Sequence, residues 1–438
     1  MSEVKIPEGY KQTEVGVVPE DWETKNIGED ATLKARIGWQ ALTTNEYQSI
    51  GNHYLVTGTD FNAGEVQWDT CWHVDEWRYK QDSNIQLRIN DVLVTKDGTI
   101  GKVGYVDKLP KPATLNSGVF VIRPKYNSFV PKYFFYVLTS SLFKEFIRNI
   151  TAGSTITHLY QKDFVTFNFP VPPKKEQTAI ATALSDVDNL IQSLEKLIAK
   201  KEAIKTGTMQ QLLTGKTRLP EFATREHGNP KGFKQTELGR IPVDWEVKKI
   251  GDLSKIQRGA SPRPIDSPIW FERSSKVGWL RISDVSRTNK YLDTTTQNLS
   301  ELGIANSRFV ESDSLVMSIC ATVGKPIITR KDLCIHDGFV LFRGLEANKE
   351  YLYYVLQKLE PEWSKKGQTG SQMNLNTTLI NGTSIIMPAE TEEQTAIATI
   401  LSNIDAEIQA LHQRLDKTRD IKQGLMQQLL TGKVRLVH

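Results

Sequence analysis

The chain has 438 residues, 39% of them hydrophobic and 24% charged, which is ordinary globular composition with room for two or three domains. No apolar run approaches the roughly 20 residues that a membrane span needs, the start of the chain lacks the apolar core of a signal peptide, and the net charge of +4 permits a nucleic-acid partner without demonstrating one. Three cysteines at no metal-binding spacing predict a reduced, cytoplasmic protein.

In the first half of the chain, a glycine-containing turn joins two predicted strands over 91–95 and 102–106. A third strand is predicted over 118–123. A helix is predicted over 130–150, where Pro131 suits its first turn. A polar loop and a last strand over 167–171 follow. This half is therefore predicted to be a mixed domain in which strands surround one or two helices.

A long helix is predicted next, over 176–213, and a second one over 393–430. Apolar residues recur in both at intervals of four and three, which is typical of a coiled-coil seam. We therefore expect the two helices to pack on each other, although two unrelated surface helices are the alternative. The seam residues are Ile180, Leu184, Val187, Ile191, Leu194 and Ile198 in the first helix, and Ile397, Leu401, Ile404, Ile408, Leu411 and Leu415 in the second.

The whole chain is an internal duplication. The seven residues from Met209 to Gly215 recur unchanged from Met426 to Gly432, and a segment that begins at Gly9 recurs from Gly232. The offset between matching segments falls from 223 to 217 along the chain, which a few loop deletions in the second copy would produce. The chain is thus predicted to be two copies of one unit with two similar sites.

Motifs for cofactor chemistry are missing. Gly215-Lys216-Thr217 looks like the end of a phosphate-binding loop, but Gln210 stands where that loop needs a glycine. We interpret the segment as a helix end, with glycine as its cap. No dinucleotide fingerprint, zinc-type histidine pair or nucleophile with a companion base is evident in the sequence. The sequence therefore predicts no catalytic or metal site.

An ordered set of short motifs carries a family resemblance: Pro19-Glu-Asp-Trp22, a Gly-Ser loop, a proline-rich strand end, Glu176-Gln177, and Leu-Leu-Thr-Gly. Each motif is weak alone, but all of them occur twice in the same order. The chain in this respect resembles, over its full length, the specificity subunit of type I restriction-modification systems.

The resemblance implies an α+β fold, with two pseudo-twofold-related mixed α/β target-recognition domains separated by two long antiparallel coiled-coil helices. The implied boundaries are 1–175 for the first recognition domain, 176–222 for the first spacer helix, 223–391 for the second recognition domain and 392–438 for the second spacer helix.

The resemblance also implies a function without catalysis. Each recognition domain would read one half of a bipartite site in double-stranded DNA, and the helices would set the spacer. The helices would also dock two methylation subunits, which use S-adenosylmethionine, and through them two restriction subunits, which use ATP and Mg. No cofactor is expected in this chain, and no membrane. Two alternatives are a stand-alone nuclease or methyltransferase, which the missing cofactor motifs disfavour, and a coiled-coil scaffold without DNA specificity, which the variable domains disfavour.

Candidate DNA-binding residues are polar and basic loop residues that have a matching place in both halves. Arginine and lysine suit guanine edges and phosphates, and asparagine and glutamine suit adenine. A solvated loop residue is the alternative for each, and Gly98, Gly101 and Gly324 are predicted to form turns instead. The candidates are Lys34, Arg36, Trp39, Lys96, Thr99, Lys102, Ser154, Thr155, Thr157 and His158 in the first half, and Arg258, Ser261, Arg263, Thr322, Lys325, Ser371, Gln372 and Asn374 in the second.

Overall fold

The structure is a computed structural model that describes residues 6–151, 158–225, 228–366 and 375–436. Within these ranges the side chains of Trp39 and of residues 364–366 are left undescribed.

The first repeat begins with strands and ends in a long helix. Its strands are Tyr10–Thr13 (β1), Gly16–Pro19 (β2), Glu23–Asn26 (β3), Ala31–Ala35 (β4), His53–Val56 (β5), Phe61–Asn62 (β6), Glu65–Val66 (β7), Trp72–Val74 (β8), Val92–Thr95 (β9), Val103–Tyr105 (β10), Ala113–Leu115 (β11), Val119–Pro124 (β12) and Asn168–Val171 (β13). Its helices are Ile27–Asp30 (α1), Glu76–Lys80 (α2), Pro131–Thr139 (α3), Ser141–Thr151 (α4), Gln161–Phe164 (α5) and Lys174–Leu212 (α6).

The second repeat follows the same order. Its strands are Phe233–Thr236 (β14), Gly239–Pro242 (β15), Trp245–Lys249 (β16), Lys255–Arg258 (β17), Gly278–Leu280 (β18), Tyr291–Leu292 (β19), Gln297–Asn298 (β20), Arg308–Val310 (β21), Leu315–Ser318 (β22), Pro326–Thr329 (β23), Leu333–Ile335 (β24), Phe339–Arg343 (β25) and Ser384–Pro388 (β26). Its helices are Pro220–Ala223 (α7), Ile250–Leu253 (α8), Ile282–Arg287 (α9), Glu301–Ala305 (α10), Lys349–Lys366 (α11), Thr377–Gly382 (α12) and Thr391–Leu429 (α13).

Each repeat contains one frame sheet of the same topology. Five strands of this sheet run in the order β4-β12-β9-β10-β7 in the first repeat, where β6 adds a sixth strand beside β7, and in the order β17-β25-β22-β23-β19 in the second. The pairs β10–β7 and β23–β19 are parallel, and the other pairs in these two runs are antiparallel. A second sheet is built on the parallel pairs β11–β5 and β24–β18, and its outer strands differ: β8 in the first repeat, and β20 and β21 in the second. The two domains therefore share a frame and differ at its periphery.

The predicted helix over 130–150 is wrong in one respect, because the structure breaks it into α3 and α4 at Ser140. Ser140 has an extended backbone with ψ 175°, and its hydroxyl donates to the carbonyl of Val137 over 2.6 Å. Serine side chains compete in this way with helical backbone hydrogen bonds. The predicted strands at 91–95, 102–106, 118–123 and 167–171 are confirmed as β9, β10, β12 and β13.

The chain divides into two compact units: unit 1 comprises Met1–Glu195 and Gln413–His438, and unit 2 comprises Lys196–His412. The long helices therefore each contribute one half to either unit. At 39 residues apiece, they are close to the predicted lengths.

The two long helices run antiparallel in each unit. In unit 1, Asp188 pairs with Lys422 and Glu195 pairs with Arg419, so position numbers rise on α6 as they fall on α13. In unit 2, Lys205 pairs with Asp405 at 2.6 Å, and Lys201, four residues earlier on α6, pairs with Glu407, two residues later on α13. Together with the repeated mixed domains, this confirms the predicted fold class.

The seam positions face protein rather than solvent. Ile180 and Leu184 lie in the core of unit 1, and Ile397 and Leu401 lie in the core of unit 2. All other seam residues are buried or half-buried: Val187, Ile191, Leu194, Ile198, Ile404, Ile408, Leu411 and Leu415.

Candidate nucleic-acid interface

The repeated motifs of unit 1 meet in one buried cluster. Trp22 donates its indole N–H to Glu176 over 3.1 Å, and Arg435 donates to both carboxylate oxygens of Glu176 over 2.6 and 2.7 Å. Arg435 also binds Asp21. Glu176 is 1% exposed, so its charge depends on these partners. This motif cluster joins the start of the domain, the start of α6 and the segment after α13.

Unit 2 repeats the motif cluster with the other copies of the motifs. Trp245 donates to Glu393 over 3.1 Å, and Arg218 binds Glu393 and Asp244. Arg218 follows α6, whereas Trp245 and Glu393 belong to the second repeat. The tail of one repeat therefore docks on the domain of the other, and nothing in the sequence had shown us this exchange.

Two glycines close the motif clusters. Gly215 and Gly432 have φ +67° and +68°, which confirms the interpretation of these segments as helix ends. A Cβ on Gly215 would lie 2.5 Å from Cδ of Pro242, and one on Gly432 would lie 2.4 Å from Cδ of Pro19. The glycine thus serves both the left-handed turn and the close approach to the proline of the opening motif.

A tyrosine and a carboxylate attach each recognition domain to a long helix. In unit 1 the hydroxyl of Tyr136 donates to Asp188 over 2.8 Å. In unit 2 Tyr354 donates to Asp405 over 2.7 Å. Burial raises the pKa of both phenols, so they remain neutral donors. These bonds join α3 to α6 in unit 1 and α11 to α13 in unit 2.

A tight turn at one end of the frame sheet carries several candidates in each repeat. Gly98, Gly101 and Gly324 have φ between +70° and +85°, which confirms them as turn formers. Ala321 matches Gly98 and is also left-handed, at φ +57°. In the first repeat, the N–H of Gly101 donates to Thr95 over 2.9 Å, which closes the turn.

In the first domain, the structure brings Lys96, Thr99, Lys102 and His158 together at this turn. The N–H of Leu159 donates to Lys96 over 2.7 Å, and Nδ1 of His158 contacts Oδ1 of Asp97. Lys102 donates to the carbonyl of Gly58 over 3.3 Å. Thr99 is exposed.

Two further candidates of the first domain lie on and just after β4. Lys34 is exposed and pairs with Val121 in the frame sheet. Arg36 is only 1% exposed, and its guanidinium donates to the carbonyl of Leu115 and to Thr114. Burial lowers the pKa of Arg36. Because Arg36 binds the end of β11, it is not part of the proposed interface. The residues around Arg36 in the sequence did not indicate that its side chain would be buried.

In the second domain, Arg258, Ser261 and Arg263 converge on Asp337, in the turn between β24 and β25. No sequence pattern pointed to Asp337. The N–H of Ile319 donates to Gly338 over 2.8 Å, which places the β22–β23 turn beside this group.

The remaining candidates of that turn have nearby partners. The Thr322 hydroxyl lies 3.2 Å from that of Ser286, and Lys325 donates to the carbonyl of Ser286 over 3.4 Å. Burial lowers the pKa of Lys325.

Other candidates lie outside the described residues. These are Ser154, Thr155, Thr157, Ser371, Gln372 and Asn374, together with the side chain of Trp39.

Within the described ranges, no group of three or more His, Cys, Asp or Glu side chains could hold a metal ion. The cysteines are free thiols, and burial raises the pKa of Cys71 and of Cys334 to about 12. None of the helices in the described part of the chain is both long and apolar enough to span a membrane.

Comparison with curated proteins gives relatives along almost the whole chain. A protein of Methanocaldococcus jannaschii, provisionally named as the specificity subunit of type I restriction enzyme MjaX, is 28% identical over 98% of this chain and 97% of its own length. The MjaVIII specificity subunit of the same organism is 27% identical, over 98% of this chain and 96% of its own.

Solved structures share the fold. The type I restriction-modification S subunit from M. genitalium superimposes with a TM-score of 0.60, 15% identity and coverage of 97% of this chain and 98% of that one. A chain from a structural study of complex assembly in the type I system gives a TM-score of 0.55 at 16% identity, over 95% and 99% of the two chains.

The family model described as type I restriction modification DNA specificity domain matches twice, over residues 19–205 and 242–418. The two matches fall on the two repeats and together cover most of the chain. The chain therefore belongs to this family, as a specificity subunit of a type I restriction-modification system rather than a catalytic one.

Proposed function

We propose that each recognition domain reads one half of a bipartite site in double-stranded DNA. The observation that carries this proposal is that the two frame sheets present different polar groups at the same end. The first domain presents Lys96 and His158 there, and the second presents Arg258 and Arg263. Base edges in the major groove are distinguished by such donors and acceptors. Two different sets of side chains on one frame suit two different half-sites.

We further propose that the chain is organised as two recognition domains, residues 1–175 and 223–391, and two spacer segments, residues 176–222 and 392–438. α6 and α13 begin at Lys174 and Thr391, close to these boundaries. The long helices set the spacer between the half-sites and dock two methylation subunits, which in turn hold two restriction subunits. S-adenosylmethionine belongs to the methylation subunits, and ATP and Mg to the restriction subunits. We place the complex in the cytoplasm, in keeping with its three free thiols.

A domain exchange tests the proposal. Residues 24–170 are replaced by the matching domain of a relative with a known site, and the methylated adenines of a host genome are mapped. We expect one half-site to change and the other half-site and the spacer to persist. If both half-sites change together, the domains are not independent readers. If the unaltered complex methylates without a bipartite consensus, the chain is a scaffold, and turnover by the lone chain would make it an enzyme.

The proposed spacing role of the helices has its own test. One heptad is inserted into α6 between Glu195 and Lys196, and one into α13 between His412 and Gln413, which preserves the seam period. Each insertion adds about 10 Å of helix at 1.5 Å per residue. We expect the spacer to grow by about three base pairs, each about 3.4 Å. An unchanged spacer in an active complex would refute the spacing role.

A further inference from the structure

Asp337 contacts three side chains from the end of β17 and the loop that follows it in the second recognition domain. Its backbone carbonyl accepts Nε–H of Arg258 over 2.7 Å. One carboxylate oxygen accepts the hydroxyl of Ser261 over 2.9 Å, and the other lies 3.4 Å from Nη2 of Arg263. The nearby His336 is not an additional cation for this carboxylate, because its Nδ1 accepts the N–H of Gly338 over 2.9 Å and burial lowers its pKa.

The two arginines remain available to a ligand. Arg258 is exposed, and among the described residues the hydrogen bonds of its guanidinium involve only Nε, so both terminal nitrogens stay open. The side chain of Arg263 is 70% exposed. Two guanidinium groups against one carboxylate leave a positive excess, which favours a polyanionic partner.

The first repeat lacks this arrangement on the same frame. Ala35 pairs with Phe120 where Arg258 pairs with Val340, and both partners stand two residues after the turn glycine. Ser117 precedes Gly118 where Asp337 precedes Gly338. The carboxylate of the first domain is instead Asp97, which contacts His158.

We propose that Asp337 is a positioning residue that orients Arg258 and Arg263 to read guanine in the half-site of the second domain. This inference rests on the proposed function and deepens it. An arginine held at one end presents its remaining N–H groups as a fork, which matches O6 and N7 of guanine in the major groove. Asp337 restrains Arg258 through its backbone carbonyl and Arg263 through its carboxylate. Restraint of flexible side chains before binding lowers the ordering entropy that binding would otherwise cost.

The experiment uses the full chain in complex with its methylation subunits. Methylated adenines are mapped first, and the domain exchange assigns one half-site to the second domain. Binding is then measured by fluorescence anisotropy on duplexes in which each guanine of that half-site is replaced by 7-deazaguanine, which lacks the N7 acceptor. We expect one replacement to weaken binding by about tenfold, because it removes one of the two charge-assisted hydrogen bonds of a bidentate contact.

Three variants separate contact from positioning. One of the two arginines should contact the guanine. When that arginine is removed, by Arg258→Ala or Arg263→Ala, the same 7-deazaguanine replacement should weaken binding no further. Asp337→Asn keeps the backbone carbonyl that holds Arg258 and an oxygen for Ser261, but it removes the charge that faces Arg263. If Arg263 contacts the guanine, this variant should reduce the penalty to about threefold or less; if Arg258 does, the penalty should stay near tenfold. Binding to the first half-site should be preserved in both cases. Lys248→Ala, on β16 of the second domain, is the matched control, because Lys248 forms an exposed pair with Glu246 outside the candidate interface; it should leave the 7-deazaguanine penalty at tenfold.

Four results would overturn the inference: a second half-site without guanine, no 7-deazaguanine penalty in the wild type, a full penalty in Asp337→Asn when Arg263 contacts the guanine, or a reduced penalty in Asp337→Asn when Arg258 does. A misfolded second domain is recognised separately, because it would also lose the hydrogen-exchange protection of β24 and β25. A wild-type complex without any bipartite site would instead refute the proposed function itself.

Discussion

Trp22 donates its indole N–H to Glu176 across 3.1 Å and so ties the opening of the first recognition domain to the start of α6. Both residues are buried, and the charge of Glu176 is met by Arg435, which lies 259 positions later in the chain. The stability of unit 1 therefore depends on Arg435, which follows α13 in the second repeat, as well as on residues of the first repeat.

We expect Arg435→Ala to destabilise unit 1 by about 3 kcal/mol, because it leaves a buried carboxylate without its cation. Arg419→Ala is the control. Its pair with Glu195 is about half exposed on both sides and should contribute less than about 1 kcal/mol. Urea denaturation followed by hydrogen exchange of unit 1 peptides measures both losses. Equal losses for the two variants would contradict a special role for the motif cluster.

The difference between wild type and Arg435→Ala should depend on pH. The hydrogen bond from Arg435 holds the pKa of Asp21 below its ordinary value. A carboxylate with a lowered folded pKa contributes fully above its unfolded pKa, near 4, and loses that contribution as pH falls through the folded value. The stability gap should thus be constant from pH 7 to pH 5 and should shrink below about pH 4. Unfolding midpoints at pH 7, 5 and 3 test this, and a gap that widens in acid would disprove it.

Gln177 connects the start of α6 to the recognition domain. Its Oε1 accepts the N–H of Val130, and its Nε2 donates to the carbonyl of Pro172, each over 2.7 Å. Gln177→Met should cost about 2 kcal/mol or more, because one buried and one half-buried backbone group lose their partner. Gln192→Met, on the same helix but half-buried beside Glu65, should stay within about 0.5 kcal/mol. Urea denaturation compares the two variants. Similar losses of unfolding free energy would mean that the hydrogen bonds of Gln177 make no special contribution to stability.

Two glycines of unit 2 should respond in opposite directions to alanine. Gly207 lies inside α6 with open space where a Cβ would stand, so Gly207→Ala should stabilise by about 0.5–1 kcal/mol. Gly215 is left-handed and packed against Pro242, so Gly215→Ala should destabilise by about 2 kcal/mol or more. Thermal unfolding of both variants measures the signs. A loss at Gly207 would indicate a helix crossing that requires glycine.

The sequence predicted the elements of the frame well where its patterns were local. The apolar residues of α6 and α13 recur at a helical period over many turns. Such a pattern predicts a helix regardless of how its side chains pack. The break at Ser140 was missed because a hydrogen bond from its own side chain, rather than a change of apolar pattern, ends α3.

The candidate interface was predicted less completely. Arg36 and Arg258 look alike as basic residues near the end of a strand, but Arg36 is buried beneath β11 and Arg258 is exposed. The sequence cannot distinguish the two arginines, because the difference lies in their tertiary contacts: Arg36 donates to the carbonyl of Leu115, and Arg258 donates to the carbonyl of Asp337. Asp337 was missed because its partners lie 74 to 79 positions away.

By itself, the sequence determined the duplication, the long helices and their seam, because repeats and apolar periods are properties of residue order. The tertiary structure alone decided that Arg435 binds Glu176 and Arg218 binds Glu393, so that each repeat's tail completes the other's domain. The physical reason is that identical motifs in two copies can pair within a copy or between copies. Only the antiparallel course of α6 and α13, which carries each helix end to the start of the other helix, selects between them.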